Sequence, residues 1–487
     1  MTTKLPPETV RTQTIPQLGK STNAATSVIR AKLGTTSIVF MVIAAAAPLT
    51  VIAGALPVGI AAGNGAGYPA MYSLCAVILG VFSVGLTTMA RRIKRPGAFY
   101  SYVEAATNKH FGMGTAWLAL LTYTAVQFAV YAYLGVSLAS LSSQAGIPIP
   151  WWAWMLVNVG IIGWLGYRNI ELSSKALGIV LIGEIGITML MVAMIIAKGG
   201  SDGLDVDSFT PTAFSSGSPV VGLMLAFAGF IGFEATTVFR DEAKDPERTI
   251  PRATYISLAV IGIFYTLSGW AIVEAWGADN IVAIAAEDPE GMVVTTATNY
   301  VGPWAGIIVQ ILLLTSLFAA SLSFHNVLAR YIKSIAQDDC LPQKIGATHP
   351  KHGSPHTASV VQTISIIVLL AVAVIVGADP ITQIFTWFSG LSTYTIVIMM
   401  VMVSYSVMRY FAMNPSTQDS TWSKFIAPLI SIFALGFVLL FIVFNLPMLV
   451  GGSQTIAIAM GLLAPIFFGI GYVSSVLIRN KKIKTGL

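Results

Sequence analysis

Charge is what this sequence lacks. Asp, Glu, Lys and Arg make up 10% of its residues, against about 25% in a soluble domain. With a mean hydropathy of +0.78, that deficit all but excludes a water-soluble fold. Cysteine is nearly absent too. Cys75 lies in an apolar run and Cys340 in a polar loop, so no disulfide is expected. No nucleophile or metal constellation suggests an enzyme or a cofactor. No ring of repeated filter residues suggests a channel. His349, His352 and His356 have ligand-like spacing, but Pro350, Gly353 and Pro355 interrupt them and no carboxylate or Cys completes a set, so no metal site is expected. The net charge of +6 does not mark a nucleic-acid partner, because the basic residues sit in short loops between apolar runs.

Apolar runs are what is present. Twelve can be read: 36–62, 68–90, 112–142, 151–167, 174–197, 219–239, 253–275, 303–335, 357–377, 380–408, 425–447 and 453–478. A membrane helix needs about 20 residues, so the run at 151–167 is the shortest of the set. Residues 98–108 read as an amphipathic surface segment. Residues 1–30 are polar, and the first apolar run is too long for a signal peptide, so no cleavable leader is expected. With the N-terminus in the cytoplasm, all of the 27 basic residues except Lys198 fall inside. The positive-inside rule then places both termini in the cytoplasm, with lipid around the spans. The outside loops are instead acidic, with Asp202, Asp205, Asp207, Asp279, Glu287, Asp288, Glu290 and Asp379.

Two spans carry helix breakers near their middle. Pro48 sits in the first, followed by Leu49 and Thr50; Gly229 and Gly232 flank Phe230 in the sixth. Read singly, each is as well explained by a proline kink or a small-residue packing groove. Read together, interrupted spans in corresponding positions of two five-helix halves point to a transporter site at the midplane. Freed amides at Ala47, Leu49, Thr50, Val51 and Ile52 would suit a carboxylate. Carbonyls around Phe227, Ala228, Gly229 and Phe230, next to Gly232, would suit an amino group.

Ionisable residues within spans are few. Glu184 stands mid-span, where burial makes proton uptake a practical switch; the bland alternative is a structural carboxyl bonded to a neighbouring helix. Glu234 is read as a brace or gate on the broken sixth span. Tyr123, Gln127 and Tyr131 recur at i, i+4, i+8 and share one helix face. Thr315, Ser316 and Ser323 offer hydroxyls on the eighth span, equally explained by interhelical bonds. Phe230, Phe385 and Trp387 could enclose an apolar group. Arg240, Asp241, Glu242, Lys244, Asp245, Glu247 and Arg248 form a mixed cluster, either a solvated helix end or an inner gate.

Three segments carry a family resemblance. GFEATTVFRDEAKDPERTIPRA, from Gly232 to Ala253, resembles the sixth-to-seventh span signature of the amino acid–polyamine–organocation permeases. RPGAFYSYVEAATNKHFG, from Arg95, resembles the segment before their third span. NVLARYIKSIAQDDCLPQKIG, from Asn326, resembles the end of their eighth. The resemblance covers roughly residues 34 to 410. It implies an all-α membrane protein of 12 helices: a cytoplasmic tail (1–33), a ten-helix core of two inverted five-helix repeats (34–410), two additional helices (411–478) and a basic tail (479–487). It also implies uptake of amino acids or related amines, driven by protons or by exchange. In several relatives a lysine stands near the position of Glu184; a glutamate there suggests proton coupling, or a counter-charge for a cationic substrate. Where the family often has a Gly-rich run in the first span, this chain has Ala-Pro-Leu-Thr. Candidate substrate contacts are therefore Ala47, Leu49, Thr50, Val51, Ile52, Tyr123, Gln127, Phe227, Ala228, Gly229, Phe230, Gly232 and Thr315, with Glu184 for the proton and Glu234 for gating.

Overall fold

Pro48 decides the path of the first span. It has no amide hydrogen to donate and disfavours the α conformation in the residue before it. Ala47 accordingly adopts φ 47° and ψ 69° and is, among the described residues, the one non-glycine with positive φ. Such a conformation costs an L-residue about 1–2 kcal/mol. Helix α1 (Thr35–Ala46) stops there, and the chain restarts as α2 (Pro48–Thr50), a π-helical turn (Val51–Ala55) and α3 (Leu56–Ala62).

The computed structural model describes residues 33–93, 98–168, 174–234, 236–237, 243–338, 340–415 and 418–485. All belong to one unit, Leu33–Leu487. After α3 come α4 (Tyr68–Arg92), the short α5 (Ala98–Ala106), α6 (Lys109–Gln144), α7 (Trp151–Tyr167) and α8 (Ser174–Lys198). Then follow α9 (Pro211–Phe214), α10 (Pro219–Ala228) and α11 (Pro246–Trp276). The hairpin α12 (Ile281–Glu287) and α13 (Met292–Tyr300) precedes α14 (Pro303–Gln337), α15 (His356–Ile375), α16 (Thr386–Met413), α17 (Ala427–Leu449) and α18 (Gln454–Thr485). Local chemistry marks many starts. Asn108 caps α6, its side chain accepting the His110 and Phe111 amides at 2.9 and 3.1 Å. Asp379 caps the turn into α16 by accepting the Ile381 and Thr382 amides.

Ten helices among the described residues are long and apolar enough to cross a membrane. The expected twelve spans include two that fall short of that length. α7 has 17 residues, and α10 has 10 because the sixth span breaks where its glycines begin. The segment expected at 98–108 is a helix that buries Phe99, Tyr102 and Val103. Large apolar side chains such as Ile179, Ile182, Phe433 and Phe444 point outward, as a lipid-facing surface requires. Polar side chains instead concentrate inside, among them Thr50, Gln127, Glu184, Glu234 and Ser316.

Candidate substrate site

The site is built from the two breaks. Loss of the proline donor and the turn at Ala47 leave the first amides of α2 without helical partners. Leu49 N donates to Glu184 Oε2 of α8 at 3.2 Å. The same oxygen accepts from Ser316 Oγ of α14 at 3.1 Å, and Thr50 Oγ1 donates to Ser316 Oγ at 3.3 Å. Glu184 is 3% exposed, so its charge is countered mainly by the amide end of α2 and this hydroxyl. Val51 N reaches back to Ala47 O at 3.2 Å.

The sixth span ends differently. α10 unwinds through i→i+3 turns: Phe230 N bonds Phe227 O at 3.0 Å, and Ile231 N bonds Ala228 O at 3.2 Å. Gly232 takes φ 113°, a conformation open to glycine. Its amide donates to Glu234 Oε2 at 3.0 Å, while Tyr123 Oη of α6 donates to Glu234 Oε1 at 2.6 Å. One carboxylate thus ties the unwound segment to itself and to α6.

Tyr265 of α11 joins the two breaks. Its hydroxyl lies 3.2 Å from Gly229 O and 3.4 Å from Ala46 O, and its single proton can serve either carbonyl. Its ring packs on Tyr72 and Phe230, with centroids 5.2 and 5.5 Å apart. Tyr133 of α6 similarly donates to Ala53 O in the π-helical turn at 2.6 Å. Neither tyrosine was among the candidates from sequence; each serves a carbonyl that only the broken geometry exposes.

Between the breaks lies a cavity of about 50 Å³. Of the candidate residues, Ala47, Thr50, Val51, Ala228 and Gly229 line it. Val126, Val130, Ala320, Phe324, Phe385 and Ser389 complete much of the wall. The other candidates lie elsewhere. Leu49 and Ile52 are packed at 0% exposure and do not line the cavity. Phe227, Phe230 and Gly232 are likewise absent from its lining. Gln127 is used by neighbouring helices: its Nε2 donates to Ser321 O and its Oε1 accepts from Gln362 Nε2. Tyr131 belongs to a second apolar cluster with Met155 and Ile162. Thr315 points out of the bundle and donates to Leu312 O at 2.9 Å. Its neighbour Ser316, about 100° round the helix, faces Glu184 instead.

A second cavity, of about 900 Å³, opens between the end of α3, the segment 201–217 and the end of α11. Asp202, Asp205, Asp207, Glu274 and Asp279 line it. The three loop imidazoles cluster, with His349 4.6 Å from His352 and 5.1 Å from His356 between ring centroids. The Nδ1 lone pair of His349 is already taken by the Lys351 and His352 amides. No group of three ligating side chains among the described residues could hold a metal ion. Of the mixed cluster, Arg240, Asp241 and Glu242 lie outside the described residues; Arg248 and Asp245 stand 3.9 Å apart on the exposed start of α11.

Two interrupted helices around one cavity are the arrangement on which broken-helix transporters build their substrate sites. The sequence matches the family model described as amino acid permease over residues 37–485. The chain belongs to the amino acid permease family. That family lies within the superfamily that the three sequence segments resembled, and the ten long apolar helices among the described residues agree with a multi-pass membrane protein. It is 25% identical over 404 residues to the histidine permease HisP of Lactococcus lactis, covering 75% of this chain and 79% of that one. It is 24% identical to the serine/threonine exchanger SteT of Bacillus subtilis, covering 66% and 70%. It is 21% identical to the low-affinity putrescine importer PlaP of Escherichia coli K12, where the match spans 58% of this chain and 62% of the importer.

Proposed function

We propose that this permease imports a small neutral amino acid across the cell membrane together with a proton, by alternating access. The observation that carries the reading is the Glu184 carboxylate seated on the Leu49 amide at the first break. The positive end of α2 is where a substrate carboxylate is best stabilised. Two carboxylates there repel. Protonation of Glu184 removes its charge, weakens its hold on Leu49 N and leaves that end of the helix for the substrate. Substrate and proton then bind together.

The substrate carboxylate meets the Thr50 amide on the cavity wall, and the Leu49 amide one residue behind that wall turns to it once Glu184 is protonated. Its ammonium faces the carbonyls of Ala228 and Gly229, each with a lone pair to spare. Val126, Val130 and Phe385 receive the side chain. The cavity wall carries no acidic side chain, which disfavours the second amine of a polyamine. The similarity to a putrescine importer keeps that cargo as the rival reading. In the architecture we propose, α7 and the broken sixth span also cross, giving twelve spans. Ten form two inverted five-helix halves (34–410) and two more follow (411–478). Both termini are cytoplasmic.

A thermal-shift screen of the purified protein against the twenty amino acids and putrescine tests the cargo. Ligand at about 100 times Kd stabilises by about 2.7 kcal/mol. A shift with neutral amino acids and none with putrescine supports the reading, and the reverse pattern overturns it.

A further inference from the structure

Three buried oxygens near the first span have no hydrogen-bond partner among the described residues: Asn64 Oδ1, Tyr68 Oη and Tyr72 Oη. All three residues are 0% exposed. An orphaned buried polar atom costs about 1–3 kcal/mol, so three neighbouring ones call for a partner such as an ordered water. Asn64 lies between Gly63 and Gly65, both of which line the 900 Å³ acidic cavity. Asn64 Oδ1 and the Tyr68 ring both press on Gly222, where a Cβ would lie 2.6 and 3.4 Å from them. The Tyr68 and Tyr72 rings pack edge-on at 5.0 Å, and Tyr72 packs on Tyr265 at 5.2 Å. The two hydroxyls also approach one another as a hydrogen-bonding pair does, short of a fully formed bond. Tyr265 Oη touches Ala46 O at the first break and lies within electrostatic reach of Glu184.

We propose that Tyr68, Tyr72 and Tyr265 form a proton path from the acidic outer cavity to Glu184, with Asn64 Oδ1 as the hydrogen-bond acceptor that positions the entering water. Each tyrosine oxygen accepts a proton from the outer side, directly or through one water, and releases its own toward the next. One proton leaves the bulk phase and one arrives on the Glu184 carboxylate; no hydroxyl changes its net charge. The orphaned lone pairs are the acceptors such a transfer needs, and the two neighbours of Asn64 line the outer cavity. The Asp and Glu side chains of the outer cavity raise the local proton concentration. The path rests on Glu184 being the proton-coupling group.

The test is proton influx into proteoliposomes, read by an entrapped pH dye. The probe is an equimolar mixture of the twenty amino acids added outside, with the outside acidic. Counterflow of the same mixture at equal pH is measured alongside, since it needs no net proton movement. Tyr72→Phe and Tyr68→Phe each delete a hydroxyl without a fully formed hydrogen bond among the described residues, so folding should tolerate them. The path predicts that influx falls about tenfold or more, while counterflow stays within about twofold. Influx at the wild-type rate overturns the path, and an equal fall in both rates overturns it in favour of a packing role. Glu184→Gln separates the two claims. If that variant keeps proton influx, the coupling role of Glu184 fails; if it loses influx while both tyrosine variants keep it, only the path fails.

Discussion

The Glu184 carboxylate lies 3.2 Å from the Leu49 amide, across the point where α1 gives way to α2. The protein's own acid therefore occupies the helix end that suits a substrate carboxylate. A permanent carboxylate here would compete with the cargo. A titrating one links cargo binding to proton binding. The same oxygen also holds Ser316, so a change of charge at Glu184 is felt at once by α2 and α14.

The closeness of the two breaks gives a first prediction. A Cβ on Gly229 would lie 2.8 Å from Val51 Cγ1, too close to be accommodated without displacement. Gly229→Ala should therefore cut uptake sharply, by about tenfold or more if roughly 1.4 kcal/mol of the binding geometry is lost. Val51→Ala in the same chain should restore much of it. Uptake assays of the single and double variants decide this; a single variant that transports normally contradicts the contact.

The Tyr123–Glu234 bond gives a second. Tyr123→Phe leaves Glu234 Oε1 without its 2.6 Å donor in a site 1% exposed. The loss should destabilise the fold by about 1–3 kcal/mol, read as a lower melting temperature in detergent. Glu234→Gln in the Tyr123→Phe background should recover part of it, because the uncompensated charge is gone. Equal melting of wild type and Tyr123→Phe would show that the bond does not brace the break.

How far the site was legible in the sequence follows from what each residue does. Pro48 and the Gly229–Gly232 pair announce themselves because backbone chemistry alone dictates a break. Glu184 stands out because charge inside a span is rare. Gln127 misleads: its period matches a cavity-facing stripe, but its amide is consumed by Ser321 and Gln362 from α14 and α15. Thr315 misses by one residue, since a run of hydroxyls does not say which one turns inward. Tyr265 and Tyr133 leave no local signal, because their partners are main-chain carbonyls freed by breaks far away in sequence. The length of the spans was clearer than their number. α7 has 17 residues and α10 has 10, and composition alone does not show where a short helix stops.

One pH-dependent contribution to stability should come from outside the spans. Glu290 lies between α12 and α13, where burial, and then the charges of Asp288 and Asp379, push its carboxyl from 4.5 up to about 7. An acid raised in the folded state binds its proton more tightly than in the unfolded chain. Its contribution to stability is therefore full below about pH 4.5 and is lost as pH rises through about 7. Melting temperature should fall over that window, and Glu290→Gln should flatten the fall. A slope unchanged by the substitution would assign the pH dependence to other groups.

The central claim is that Glu184 carries the coupled proton. The direct measurement is uptake of the amino acid found by thermal shift, in proteoliposomes, with and without an inward proton gradient, for wild type and Glu184→Gln. Wild-type uptake should rise with the gradient. The variant should fold and exchange substrate yet show no response, because Gln keeps the acceptor for Leu49 N without a proton to gain. A variant whose uptake still follows the gradient as the wild type does would contradict the account.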